Sequence, residues 1–312
     1  MRFLHRLFLA ILLGVSFCAH SVAALEWRQL VRGTWVLHCH EEDLENGRRV
    51  LSMADEALPR MTGDFGLSST GMIHIVIAPS EQAFHRLTGG QIPEWGSGAA
   101  DPSQAMIFLK SPRFSRPETN LRQVVHHELS HVLLWMAVDS HPVDRWFDEG
   151  LAQLESGEMG IRGAVLLARS LLSGDIIWLD EVDEVLKFRR EKAALAYGES
   201  RAAIDYLIAS YGRENIGRII QAIRAGKTMD DALMNTIGIG FQDFQTDWYH
   251  AMKQKYRWYI LLDFWVMFSL VLVILFFTAF FVTRNRTRRI KQRWAEEEQY
   301  GFETMEERTA SG

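Results

Sequence analysis

Cysteine is nearly absent from this chain of 312 residues: Cys18 and Cys39 are the only two, which excludes a scaffold built on disulfides. Proline is scarce too, with 7 residues, and hydrophobic residues make up 48% of the chain. That balance excludes a disordered or proline-rich linker protein. There is no basic excess, since the formal charge is −5, so nucleic acid is not an expected partner. Internal repeats and low-complexity linkers are lacking as well. At roughly 150 residues per domain, the length allows one large domain or two ordinary ones.

What the chain does have is apolar sequence concentrated at its two ends. Residues 1–24 read MRFLHRLFLAILLGVSFCAHSVAA. Arg2 and Arg6 give a positive start, residues 7–17 form an apolar run, and Val22-Ala23-Ala24 supplies the small residues of a cleavage site. This is the anatomy of a secretory signal peptide. An uncleaved N-terminal anchor is the other reading, and the run, shorter than the ~20 residues that span a bilayer, favours the cleaved leader over it. Bulky Phe17 precedes Cys18, unlike a lipoprotein cysteine. Cleavage after Ala24 leaves Cys39 alone, with no internal disulfide to form.

Near the other end, residues 264–282 (FWVMFSLVLVILFFTAFFV) carry no charge. As a helix they measure about 29 Å, close to the ~30 Å hydrocarbon core. Trp258, Tyr259 and Trp265 stand where an interfacial aromatic belt forms, so a transmembrane helix is expected over residues 259–282. Arg284, Arg286, Arg288, Arg289, Lys291 and Arg293 follow at once. Six cations at one end assign residues 283–312 to a cytoplasmic tail. The acids that close it (Glu296, Glu297, Glu298, Glu303, Glu306, Glu307) read as a solvated helix. The expectation is a single-pass membrane protein whose residues 25–258 lie in the periplasm or outside the cell.

That exported segment reads as one α+β domain, with a small mixed sheet and helices first and a helical subdomain after. Trp35–His40 (WVLHCH), Ile73–Ala78 (IHIVIA) and residues 105–109 (AMIFL) are short β-branched or aromatic runs, as strands are. A helix is expected over residues 46–61, closed by Gly63. Gly89-Gly90, Pro93 and residues 96–100 mark a loop-rich crossing before the third strand. From Glu118 onward the pattern is helical, broken at Gly157, Gly174, Gly212, Gly226 and Gly238.

The chemistry concentrates in LRQVVHHELSHVLLWM, residues 121–136, which contains the pattern H-E-x-x-H. Histidines at i and i+4 leave one face of a helix a turn apart, at a separation that a tetrahedral zinc bridges. Glu128 lies beside that face, where a carboxylate can take a proton from metal-bound water. Ser115-Arg116-Pro117-Glu118 fits a capping box ahead of the helix. Eighteen residues beyond His131 stands Glu149, in RWFDEGLA. A break at Asp139-Ser140-His141-Pro142 and a return helix from near Asp144 can swing Glu149 back over the histidines. Gly150 beside it lets the second helix approach closely. Two histidines and one carboxylate leave a fourth zinc position open, as catalytic sites do.

HELSHVLL followed by WFDEGLA resembles the gluzincin metallopeptidases, and in particular their small peptidase MA-like members. The resemblance extends through IHIVIAPSEQAF, GSGAADPSQAMIFLKSP and AYGESRAAIDYLIASYG, and covers most of residues 30–255. It implies a zincin-like fold, a peptide or protein substrate, and one Zn²⁺ held by His127, His131 and Glu149, with Glu128 as general base. Many gluzincins place an Asp four residues after the ligand Glu to orient a histidine. Here that position is Gln153, which leaves the orienting partner unassigned without touching metal binding. Tyr197, in AYGE, resembles the tyrosine that stabilises the oxyanion in aminopeptidase-type members; an ordinary helix tyrosine is the other reading. Residues 105–109 read either as an edge strand that pairs with extended substrate or as sheet core.

The remaining histidines point elsewhere. His126 projects about 100° from His127, away from the ligand face. His38 and His40 flank Cys39 at strand spacing and share a face, either as a metal site or as a half-exposed strand. His141 reads as a turn residue before Pro142. An alternative function, a zinc-stabilised peptide-binding or scaffolding module without turnover, stays open, although a structural site has no use for Glu128. No Gly-x-Met-Glu-Asn segment of the aminopeptidase kind is present, which tilts the reading toward an endopeptidase or an unusual specificity.

Overall fold

Trp35–His40 and Ile73–Ala78 are runs rich enough in β-branched residues to be buried in a sheet, and they lie side by side in parallel. The computed structural model describes residues 27–90, 92–93, 96–115, 119–157, 160–182 and 190–310. The expected signal peptide of residues 1–24 lies outside them.

The chain divides into two units, Met1–Lys253 and Gln254–Gly312. The first contains a five-stranded sheet in the order β1-β2-β3-β5-β4. Strand β1 (Trp27–Arg32) turns at Gly33-Thr34 into antiparallel β2 (Trp35–His40). Helix α1 (Leu44–Phe65) makes the crossover to β3 (Ile73–Ala78). The α1 helix outruns the expected residues 46–61, because Gly63 stays helical and the left-handed turn falls at Gly66, φ +71. Helix α2 (Glu81–Leu87) is capped by the Ser80 side chain. It leads to β4 (Gly98–Asp101), a 3-10 turn and β5 (Met106–Lys110).

Residues 105–109 therefore do not make the edge. Strand β5 sits between β3 and β4, parallel to the first and antiparallel to the second. The edge on this side of the sheet, opposite β1, belongs to Gly98–Asp101, part of the stretch expected to be loop. Glycine and alanine carry little strand propensity, and β4 exists through its ladder with β5.

The core lies where Leu37 and Cys39 of β2, Ile73, Ile75 and Ile77 of β3 and Ile107 and Leu109 of β5 meet Val50, Leu51 and Ala54 of α1. Gly47 allows the contact: a Cβ there would stand 2.4 Å from Leu37 Cδ2. On the helical side come α3 (Leu121–Ala137), α4 (Arg145–Ser156), α5 (Ile161–Ser173), α6 (Arg190–Tyr211), α7 (Glu214–Arg224) and α8 (Met229–Ile237). From α4 onward their ends fall at or near the expected glycines, with Gly157 and Gly238 in the left-handed region at φ +70 and +80. Glu155 of α4, fully buried, ties this half to α1 through Arg60 and Arg213, and Arg213 also reaches Asp64 at 2.6 Å.

Helix α9 (Phe241–Ala310) enters the second unit. Within Met267–Ala295 it contains an 18-residue window of mean hydropathy 2.2, none of it buried, which makes it the one described helix long and apolar enough to cross a membrane.

Candidate metal centre and cleft

Helix α3 is buried on nearly all sides, with Val125, Leu129, Val132 and Leu133 at 0% exposure, so it is held rigidly between its neighbours. Its start differs from expectation. The cap is Asn120, whose side chain accepts from Gln123 N, while Arg116, Pro117 and Glu118 of the expected capping box lie outside the described residues. After α3, Asp139 and Ser140 adopt φ +53 and +65, and this pair of left-handed residues reverses the chain into α4. His141 Nδ1 donates to the Val138 carbonyl at 2.8 Å, as a turn residue does.

The reversal brings His127, His131 and Glu149 together, with ligand atoms within 4.8 Å of one another. Glu149 Oε2 lies 3.5 Å from His127 Nε2 and 3.7 Å from His131 Nε2. That oxygen is buried and makes no hydrogen bond, whereas Oε1 receives Arg145 Nε at 3.2 Å and Nη2 at 2.9 Å. Among the described residues, no other group of three or more His, Cys, Asp or Glu side chains has the geometry to hold a metal ion.

Two contacts answer what Gln153 left open. His131 Nδ1 donates to Asp148 Oδ1 at 2.6 Å, which fixes the ring and turns Nε2 toward the cluster. Gln153 lines the cleft, and its backbone carbonyl accepts from Arg201 at 2.7 Å. The orienting acid thus precedes the candidate ligand by one residue instead of following it by four. RWFDEG carried that signal as Arg at i−4 and Asp at i−1, and sequence reasoning passed over both.

The field at this cluster favours positive charge. Burial opposes protonation of His131, yet Asp148, and beyond it Glu149 and Glu128, raise its pKa to about 10. Burial likewise opposes ionisation of Glu149, but the two imidazoles and Arg145 outweigh it and hold the carboxyl at about 2.

The cluster opens into a cavity of about 470 Å³. Glu128 and Tyr197 line it, together with Ile92, Pro93, Val124 and residues 96–100. The Tyr197 ring centroid is 6.3 Å from that of His127. Gly150 lets α6, which carries Tyr197, come close: a Cβ there would lie 2.5 Å from the Ser200 carbonyl oxygen. Gly150 thus serves the α4–α6 contact rather than the approach of α4 to α3. Gly98 does the same for the edge strand, since a Cβ there would stand 2.7 Å from Glu128 Oε1 and from Val124 Cγ1.

The other histidines lie apart from the cleft. His126 Nε2 donates to the Met53 carbonyl at 3.1 Å, and burial lowers its pKa. His38 Nε2 and His74 Nδ1 share a hydrogen bond of 3.2 Å, while His40 is buried against Trp27.

A mixed sheet whose antiparallel edge strand borders a helix bearing His-Glu-x-x-His, faced by a second helix with an acid, defines the zincin-like fold class. The chain belongs to the peptidase MA superfamily, whose family profile matches residues 53–254, more than half of its length. No curated protein matches the chain.

Proposed function

We propose that the protein is a membrane-anchored, zinc-dependent peptidase of the gluzincin type. The observation that carries this reading is the convergence of His127 Nε2, His131 Nε2 and the unbonded, buried Glu149 Oε2. Two imidazoles and one carboxylate oxygen suit zinc, and the negative field at His131 suits a cation. A buried carboxylate oxygen without a hydrogen bond is costly unless an ion completes it.

When bound, the ion supplies Lewis acidity, acidifying a water and polarising the scissile carbonyl. Glu128, at the cleft wall under Gly98, takes the proton of the attacking water and passes it to the leaving amine. Tyr197 donates a hydrogen bond to the developing oxyanion. Asp148 keeps His131 in one tautomer throughout. The free side of β4 pairs with an extended peptide and lays its backbone across the cleft. The leader directs export, and the apolar helix of residues 259–282 holds this domain on the outer face of a membrane, with the six cations of residues 284–293 in the cytoplasm.

The test uses the purified full chain, its metal content and an unstructured protein substrate. Wild type is expected to hold one zinc and to cleave. Glu128→Gln is expected to keep the metal and to lose about 10²–10⁴-fold in rate. Equal rates in both forms would refute the mechanism, and a metal-bound wild type without cleavage would favour a binding module. Protease accessibility of the two ends in intact cells checks the topology.

A further inference from the structure

We propose that Arg145 is a positioning residue that makes Glu149 a one-oxygen metal ligand. The inference rests on the metallopeptidase reading above. A carboxylate can bind a cation through one oxygen or both. In this cleft Oε1 is already taken by two donors of one guanidinium, at 3.2 and 2.9 Å, and Oε2 alone faces the imidazoles. Arg145 reaches its target because it stands one turn ahead on α4, the i,i+4 spacing that brings helical side chains together. Its planar, permanently charged fork does not release the oxygen at any working pH, and a lysine would offer only a mobile point charge.

Charge balance points the same way. Glu128, Asp148 and Glu149 line the cavity, and among the described residues that line it Arg145 is the only Lys or Arg. One-oxygen ligation leaves a coordination position for water and substrate, whereas two-oxygen ligation fills it. Arg145 therefore governs how open the site is, not whether an ion is held.

Full-length Arg145→Gln and Arg145→Lys proteins, loaded with Co²⁺ in place of zinc, test this. The visible absorption of Co²⁺ weakens as its coordination number rises, which gives a readout independent of turnover. Arg145→Gln is expected to keep one ion per chain, to absorb more weakly than wild type, and to lose about 10–100-fold in kcat with KM little changed. Arg145→Lys is expected to recover part of both signals, which also guards against a folding defect in the first variant. Wild-type absorption and kcat in Arg145→Gln would overturn the role, as would loss of the ion from both variants while they remain folded. A wild type that binds no ion overturns the metallopeptidase reading itself.

Discussion

Two histidine pairs stand in the same unit, and only one of them has the makings of a metal centre. His127 and His131 come from one helix, with ring centroids 4.9 Å apart, and their Nε2 atoms converge on a buried carboxylate oxygen. His38 and His74 come from neighbouring strands, with ring centroids 5.5 Å apart and Nε2 and Nδ1 in contact at 3.2 Å. That contact is a hydrogen bond, so one ring's lone pair is spent on the other ring's N–H. Neighbouring Cys39 faces the opposite side of the strand, and burial raises its pKa, which keeps the thiol protonated and a poor ligand. Proximity of imidazoles is therefore the lesser requirement. A third donor and a partner that sets the tautomer decide the matter, and Glu149 and Asp148 supply them at the first pair.

The sharpest way to break this contrast is to delete a histidine from each pair. His131→Ala is expected to abolish stoichiometric metal binding and to lower thermal stability, because metal binding couples to folding. His38→Ala should retain one ion per chain by elemental analysis; loss of metal there would erase the distinction. A smaller effect is expected from Asp148→Asn, which keeps a hydrogen-bonding oxygen and removes the charge. Competition with a chelator should show metal affinity or activity reduced by about 10–100-fold. No change would mean that α3 packing alone orients His131.

Two buried carboxyls sharpen the comparison at the smallest scale. Glu149 lies among cations and is held at about 2, whereas Glu199 on α6 is pushed up to about 9, chiefly by burial, with the Ile177 N–H as its hydrogen-bond donor. A pKa raised on folding stabilises below the unfolded value of 4.5 and loses that contribution as pH rises toward 9. The unfolding temperature is thus expected to fall between those limits, and Glu199→Gln to flatten the slope. An unchanged slope in that variant would show that Glu199 ionises at its ordinary pH.

Legibility along the chain followed the range of the forces involved. Strands β2 and β3 declared themselves through Val and Ile, and the α3–turn–α4 pair through a 3.6-residue period interrupted at Asp139 and Ser140. Strand β4 did not, because Gly98-Ala99-Ala100 has no strand signature and owes its place to hydrogen bonds from β5. The cap at Asn120 was missed because Ser115 and Glu118 matched a local template at the wrong distance from the helix. Asp148 and Arg145 were passed over because their partners are set by how α4 lies against α3.

By itself, then, the sequence determined the helical spacing of His127 and His131, the acid that follows them, and an apolar segment long enough to cross a bilayer. Each depends only on a periodicity or a run length, which neighbours along the chain fix. Tertiary structure alone decided which strand borders the cleft, which acid orients His131 and which oxygen of Glu149 stays free. Those outcomes depend on how close two backbones can come, and glycines at 98 and 150 set that distance at positions where any Cβ would collide.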